Sequence, residues 1–210
     1  MPKRTSDLRP ILLLSVGHSC VDVHQGAVAA LVPFLVAERH YGYAAVSGVV
    51  LAASLLSSVA QPLFGALTDR RPLPWLLPVG TLLGGAGIAL SGVSGSYGLT
   101  LACVALSGVG VAAYHPESAR VARLAAQRVR GGRGGTGTHR GMAWFSLGGN
   151  LGFAAAPLLV AAVVGTGGLR LTPLLVLPAL AGAALCLPVL RELERRRAAG
   201  AVRGPPPAAD

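Results

Sequence analysis

The residues best suited to chemistry lie inside the first apolar run of this 210-residue chain, where His18, Asp22, His24 and Gln25 fall together between Ile11 and Ala37. His18 and Asp22 are one helical turn apart, and Gln25 follows one turn further, so on a helix the three share a face. Asp22 comes 11 residues after Ile11. At about 1.5 Å per residue that is roughly 16 Å, near the middle of a hydrocarbon core about 30 Å thick. Ionisable side chains at such depth are costly and mark functional sites by default. A carboxylic acid and an imidazole one turn apart can share and pass a proton, which makes His18 and Asp22 the candidate proton-coupling pair. The competing reading is a hydrogen-bonded pair that pins two helices. His24 points to another face and reads as a packing or interfacial residue.

Three further groups carry polar chemistry in apolar surroundings. The run Tyr114-His115-Pro116-Glu117-Ser118-Ala119-Arg120 closes the fourth apolar segment. Glu117 and Arg120 are three residues apart and can pair with each other or across to another helix. Pro116 removes a backbone donor there. His115, Glu117 and Arg120 are candidate substrate-path or gate residues, or else an ion pair that only stabilises. Gly65-Ala66-Leu67-Thr68-Asp69-Arg70-Arg71 follows the second segment as a charged loop, with Gly65, Asp69 and Arg70 as a candidate conformational switch. Asn150, in the fifth segment, is an amide at lipid depth that can hydrogen-bond across helices. It joins Gln25 among the candidate path residues.

The elements that must position these groups are membrane helices. Hydrophobic residues make up 52% of the chain and charged residues 12%, with a mean hydropathy of +0.61. A soluble domain carries about 25% charged residues, so this chain is too charge-poor to cover a surface facing water. Six segments reach the roughly 20 residues that spanning requires: 11–37, 44–67, 74–93, 97–119, 141–164 and 171–190. The first is too long for the apolar part of a cleaved leader, about 7–15 residues. It reads as a membrane helix. The fold class is all-α, a polytopic membrane protein.

The net charge of +10 does not indicate nucleic acid, because the basic residues sit between apolar runs without an aromatic stacking platform. Positive-inside bias accounts for it. With the N-terminus inside, 16 of the 18 Lys and Arg fall on the inner side, and Arg39 and Arg170 on the outer. Both termini are then cytoplasmic. Residues 1–10 form a cytoplasmic N-terminus, 11–190 the six-helix bundle with a cytoplasmic loop at 121–140, and 191–210 a charged, then disordered, tail. Cys20, Cys103 and Cys186 all lie in apolar segments and suit neither a disulfide framework nor a zinc site. No metal-ligand spacing links His18, His24 and His115, so neither a metal nor a cofactor is expected. No G-x-S-x-G or H-E-x-x-H pattern points to an enzyme.

Taken in order, the motifs resemble one family. They are G-H-x-x-V-D at Gly17–Asp22, G-x-x-x-D-R at Gly65–Arg70, H-P-E-x-A-R at His115–Arg120, and R-G-M-A-x-F-x-x-G-G-N-x-G-F-A-x-x-P at Arg140–Pro157. This is similar to the fosmidomycin-resistance family of the major facilitator superfamily, from Pro10 to about Leu190. The resemblance implies a proton-driven exporter of small molecules, in some members fosmidomycin, in the cell membrane. It also implies twelve helices in two bundles, each of 3+3 inverted repeats in which the first and fourth helices are counterparts. This chain supplies one bundle, the N-terminal half. The expected partners are therefore a small-molecule substrate, protons, the lipid bilayer, and a second six-helix half or another copy. The alternative is a non-transporting half or a membrane interaction protein.

Overall fold

The computed structural model describes residues 8–127 and 136–202, and these are almost wholly helical. α1 spans Arg9–Arg39, α2 Tyr43–Arg70, α3 Leu76–Ser91, α4 Tyr97–Ala126 and α5 Thr136–Gly167; a 3₁₀ segment, Leu169–Val176, leads into α6, Leu177–Val202. Five of these units are long and apolar enough to cross a membrane, the 3₁₀ segment and α6 counting together; α3, at 16 residues, is shorter.

Local chemistry explains the ends. Pro10 lies in the first turn of α1, where its missing N–H costs nothing. Ser96 caps α4 by accepting a bond from the Leu99 N–H at 3.3 Å. At the far end of α1, Glu38 and Arg39 clamp two neighbouring helix ends. Both Glu38 carboxylate oxygens lie 3.1 Å from the Leu169 N–H that they accept, and Arg39 donates to the Gly92 carbonyl at 2.8 Å. Gly168, at φ 77°, makes the left-handed turn that aims Leu169 at Glu38.

Four expectations need correction. The segment Gly65–Arg70 is not a loop but the last turns of α2, which stops only at Arg71, extended at φ −140° because Pro72 follows. The third span is 76–91 rather than 74–93, since Pro72 and Pro74 hold its start in a turn. Both ends of the loop placed at 121–140 are helix: α4 runs on to Ala126 and α5 already begins at Thr136, arginine being a good helix former in water. Its glycine-rich middle, 128–135, lies outside the described residues, as do 1–7 and the Gly204–Asp210 stretch of the tail. Finally, the sixth span opens as a 3₁₀ turn, because Pro173 and Pro178 cannot donate to an α-helical ladder.

The packing has an internal two-fold pattern. α1 packs on α5 as α4 does on α2, α3 packs on α4 as α6 does on α1, and the α1–α4 and α3–α6 pairs close the bundle. This is the arrangement of 3+3 inverted repeats. The α1–α5 seam is made of glycine. A methyl group on Gly148 or Gly152 would run into the backbone of Ser15 or Ser19 on α1. One apolar cluster gathers Leu31, Leu35, Val49, Ile88 and Val164 toward one end. A second, with Leu14, Val21, Leu77, Tyr114 and Phe145, fills the other half.

Candidate transport site

The second apolar cluster encloses the ionisable groups. α1 presents His18 and Asp22 side by side, and α4 brings His115 to meet them from 93 residues away. His115 Nε2 lies 3.0 Å from Asp22 Oδ1, and His18 Nε2 lies 3.3 Å from Asp22 Oδ2. The carboxylate thus stands between two imidazoles and ties α1 to α4. Its side chain is 13% exposed, that of His18 10% and that of His115 21%, so the site is largely enclosed yet not sealed.

Backbone carbonyls fix both rings. His18 Nδ1 donates to the Phe145 carbonyl at 3.0 Å, and His115 Nδ1 donates to the Val111 carbonyl one turn back at 2.8 Å. A carbonyl only accepts, so each Nδ1 carries a hydrogen, and each Nε2 faces the carboxylate. A neutral imidazole in this tautomer offers Asp22 a lone pair rather than a hydrogen. Every hydrogen bond between Asp22 and these rings therefore needs an added proton. Two such bonds need two. In this structure the His115 contact meets hydrogen-bond geometry, whereas His18 Nε2, buried, makes no hydrogen bond.

α5 shapes the site from the third side. Phe145 stacks on His18 with centroids 4.3 Å apart and planes at 17°. Gly149 leaves room for the ion-pair atoms: a methyl group there would lie 2.6 Å from His18 Cε1 and 2.5 Å from Asp22 Oδ2. Gly149 is one turn beyond Phe145, so the absence of its side chain also opens the Phe145 carbonyl to His18.

The remaining candidates do not join this cluster. Gln25 and Asn150 are exposed on α1 and α5. Glu117, fully buried, is held by both Nε and Nη2 of Arg120, the Nε bond being 2.9 Å. Asp69, at the end of α2, acts on Arg120 through its charge. Arg70 is exposed, and Gly65 sits where α2 nears Pro116 of α4. The end of α2 thus lies beside α4 near the Glu117–Arg120 pair. His24, read from the sequence as a packing or interfacial residue, is fully buried, and its Nε2 donates to the Leu175 carbonyl at 3.0 Å. Pro178, three residues on, has no N–H to offer that carbonyl.

Comparison with known proteins fits this architecture. The family model of the Major Facilitator Superfamily matches residues 14–209. The chain belongs to the Major Facilitator Superfamily. It is therefore a multi-pass membrane protein of a transporter family, not an enzyme. Among curated proteins it is similar to the fosmidomycin resistance protein of Escherichia coli, at 35% identity over 182 residues, 87% of this chain and 42% of the relative. It is also similar to an uncharacterized MFS-type transporter, YfnC, of Bacillus subtilis, at 33% identity over 156 residues, 73% of this chain and 36% of the relative. The chain thus spans less than half the length of the curated relatives it matches.

The triad is also a set of metal-ligand types. One atom each from His18, Asp22 and His115 lie within 4.8 Å of one another. Sequence spacing concealed this, because the i,i+4 pair gains its third member only when α4 packs on α1. The G-H-x-x-V-D and H-P-E-x-A-R motifs were the available signal, each contributing its histidine.

Proposed function

We propose that the chain is the N-terminal half of a proton-coupled exporter of a small molecule, and that the His18–Asp22–His115 triad is its proton site. The observation that carries this reading is the Asp22 carboxylate held between two Nε2 atoms at 3.0 and 3.3 Å. A proton arriving there forms a bond between α1 and α4, and its departure leaves lone pairs facing one another. Protonation thereby sets how firmly these two helices are joined, which is what a coupled transporter needs at the element that changes state. Gln25 and Asn150, exposed on α1 and α5, line the substrate path. Glu117 with Arg120 forms the gate at the arginine-rich end, and Gly65, Asp69 and Arg70 supply the contact that breaks and reforms between inward-open and outward-open states. The arginine-rich end, with both termini, faces the cytoplasm. The other wall of the path comes from a second six-helix half or a second copy of this chain. The name of the Escherichia coli relative makes fosmidomycin the first substrate to try.

The test is drug susceptibility in a fosmidomycin-sensitive host with no exporter of its own. Expression of the chain within its native full-length product, or with its partner half, should raise resistance, and a protonophore should cancel that gain in accumulation assays. Asp22→Asn should insert normally but confer none. Resistance unchanged in Asp22→Asn would remove Asp22 from the proton role. A native product of the size of this chain, with no partner half and no self-association, would favour the alternative of a non-transporting membrane interaction protein.

A further inference from the structure

We infer that His18, Asp22 and His115 form a binding site for a divalent transition-metal ion, with zinc as the representative ion. The inference concerns the triad read above as the proton site, and it rests on that reading for its consequence, inhibition of export.

The geometry matches what such an ion requires. Zinc takes imidazole nitrogen and carboxylate oxygen at about 2.0–2.2 Å, so neighbouring ligand atoms around a tetrahedral ion stand roughly 3.3 Å apart. The two imidazole–carboxylate separations here are 3.0 and 3.3 Å, and all three ligand atoms fit within 4.8 Å. Both rings turn Nε2 to the common point, and both donate Nδ1–H to a backbone carbonyl, Phe145 and Val111 respectively. That second bond is what orients a metal-binding histidine and raises its basicity as a ligand. His18 Nε2 is buried without a hydrogen bond, so it has an unused lone pair aimed at the site.

Charge agrees with this. A dication among one carboxylate and two neutral imidazoles leaves a net charge of +1, and the carboxylate supplies the anionic ligand such an ion takes. Three protein ligands leave a fourth position for water. The 21% exposure of His115 gives the ion a way in. Bound metal would occupy both Nε2 atoms and the carboxylate, join α1 to α4 in every state, and so hold the transporter still.

The experiment is equilibrium dialysis of the purified chain in detergent against zinc, with cobalt(II) absorption on the same sample. Saturable binding of one zinc per chain is expected, with an intense visible cobalt spectrum of low coordination number. His18→Gln and His115→Gln should each weaken zinc binding by at least the roughly 10–100-fold that loss of a mere outer-shell partner costs. A His40→Ala/His139→Ala double variant should bind as wild type. Absence of saturable binding, a weak octahedral-type cobalt spectrum, or unchanged affinity in both glutamine variants would overturn the inference. Helix content by circular dichroism qualifies each variant; if neither folds, the wild-type cobalt spectrum decides. Zinc binding without export would sustain the site and sink the transport reading. Export without zinc binding would do the reverse.

Discussion

Replacing Gly152 by alanine should destabilise the bundle, although alanine is the better helix former. Gly152 lies on the α1–α5 seam. A methyl group there would come within 2.7 Å of both the Cα and the carbonyl carbon of Ser19. Carbon atoms settle at about 3.5–4.0 Å, so the two helices must part by about 1 Å. Ser19 offers backbone, not a side chain that could rotate away. Overpacking of this kind costs about 1–3 kcal/mol, occasionally more. The helix-propensity gain of alanine over glycine offsets about 0.8–1.0 kcal/mol at most. Because rigid backbone is involved, the upper part of the range applies, and a net loss of about 2 kcal/mol is expected. By the usual scaling for domains of 150–250 residues, that lowers the melting temperature by about 4–8 °C. Gly165 is the internal control. It lies on the same helix, and a methyl group there meets nothing within 4 Å. Gly165→Ala should therefore leave the melting temperature unchanged or raise it slightly. Thermal unfolding of both variants in detergent, followed by circular dichroism, compares them directly. A Gly152→Ala protein at least as stable as wild type would refute the proposed seam.

Other consequences follow from single contacts. Arg120→Ala strands the fully buried Glu117 and should cost about 3 kcal/mol, whereas Glu117→Met with Arg120→Met should recover most of that loss, as read from melting curves. Glu38→Ala removes the acceptor of the Leu169 N–H and should destabilise by about 0.5–2 kcal/mol, with faster hydrogen exchange confined to the start of the sixth span. Gly149→Ala should impair export more than stability, because its methyl group strikes His18 and Asp22 themselves; a variant exporting at the wild-type rate would show that the triad tolerates rearrangement.

Much of the fold was legible because bilayer thickness constrains it so tightly. Apolar runs placed the six helices, five of them at spanning length, and Asp22 and His18 stood out as ionisable residues inside one of them. What remained hidden was tertiary. Nothing near Asp22 in sequence announces His115 as its partner; that contact requires α4 to cross α1. The lengths of α2, α4 and α5 were underread because these helices run on beyond their apolar stretches, through residues such as Asp69, Arg70, Arg123 and Arg140. Hydropathy marks where lipid ends, not where the helix does. The 3₁₀ start of the sixth span was signalled by Pro173 and Pro178, but its stabilising donors, His24 and Thr172, come from the packing of α1 and from within the turn itself.

The measurement that bears most directly on the central claim is substrate-triggered proton movement in sealed vesicles. The native full-length product, or this chain with its partner half, would be reconstituted with a pH-sensitive dye inside and challenged with fosmidomycin. Proton flux that depends on the substrate, and that disappears in Asp22→Asn while substrate exchange down its own gradient persists, is the predicted result. Equal proton flux in wild type and Asp22→Asn would contradict the assignment of proton coupling to the His18–Asp22–His115 triad.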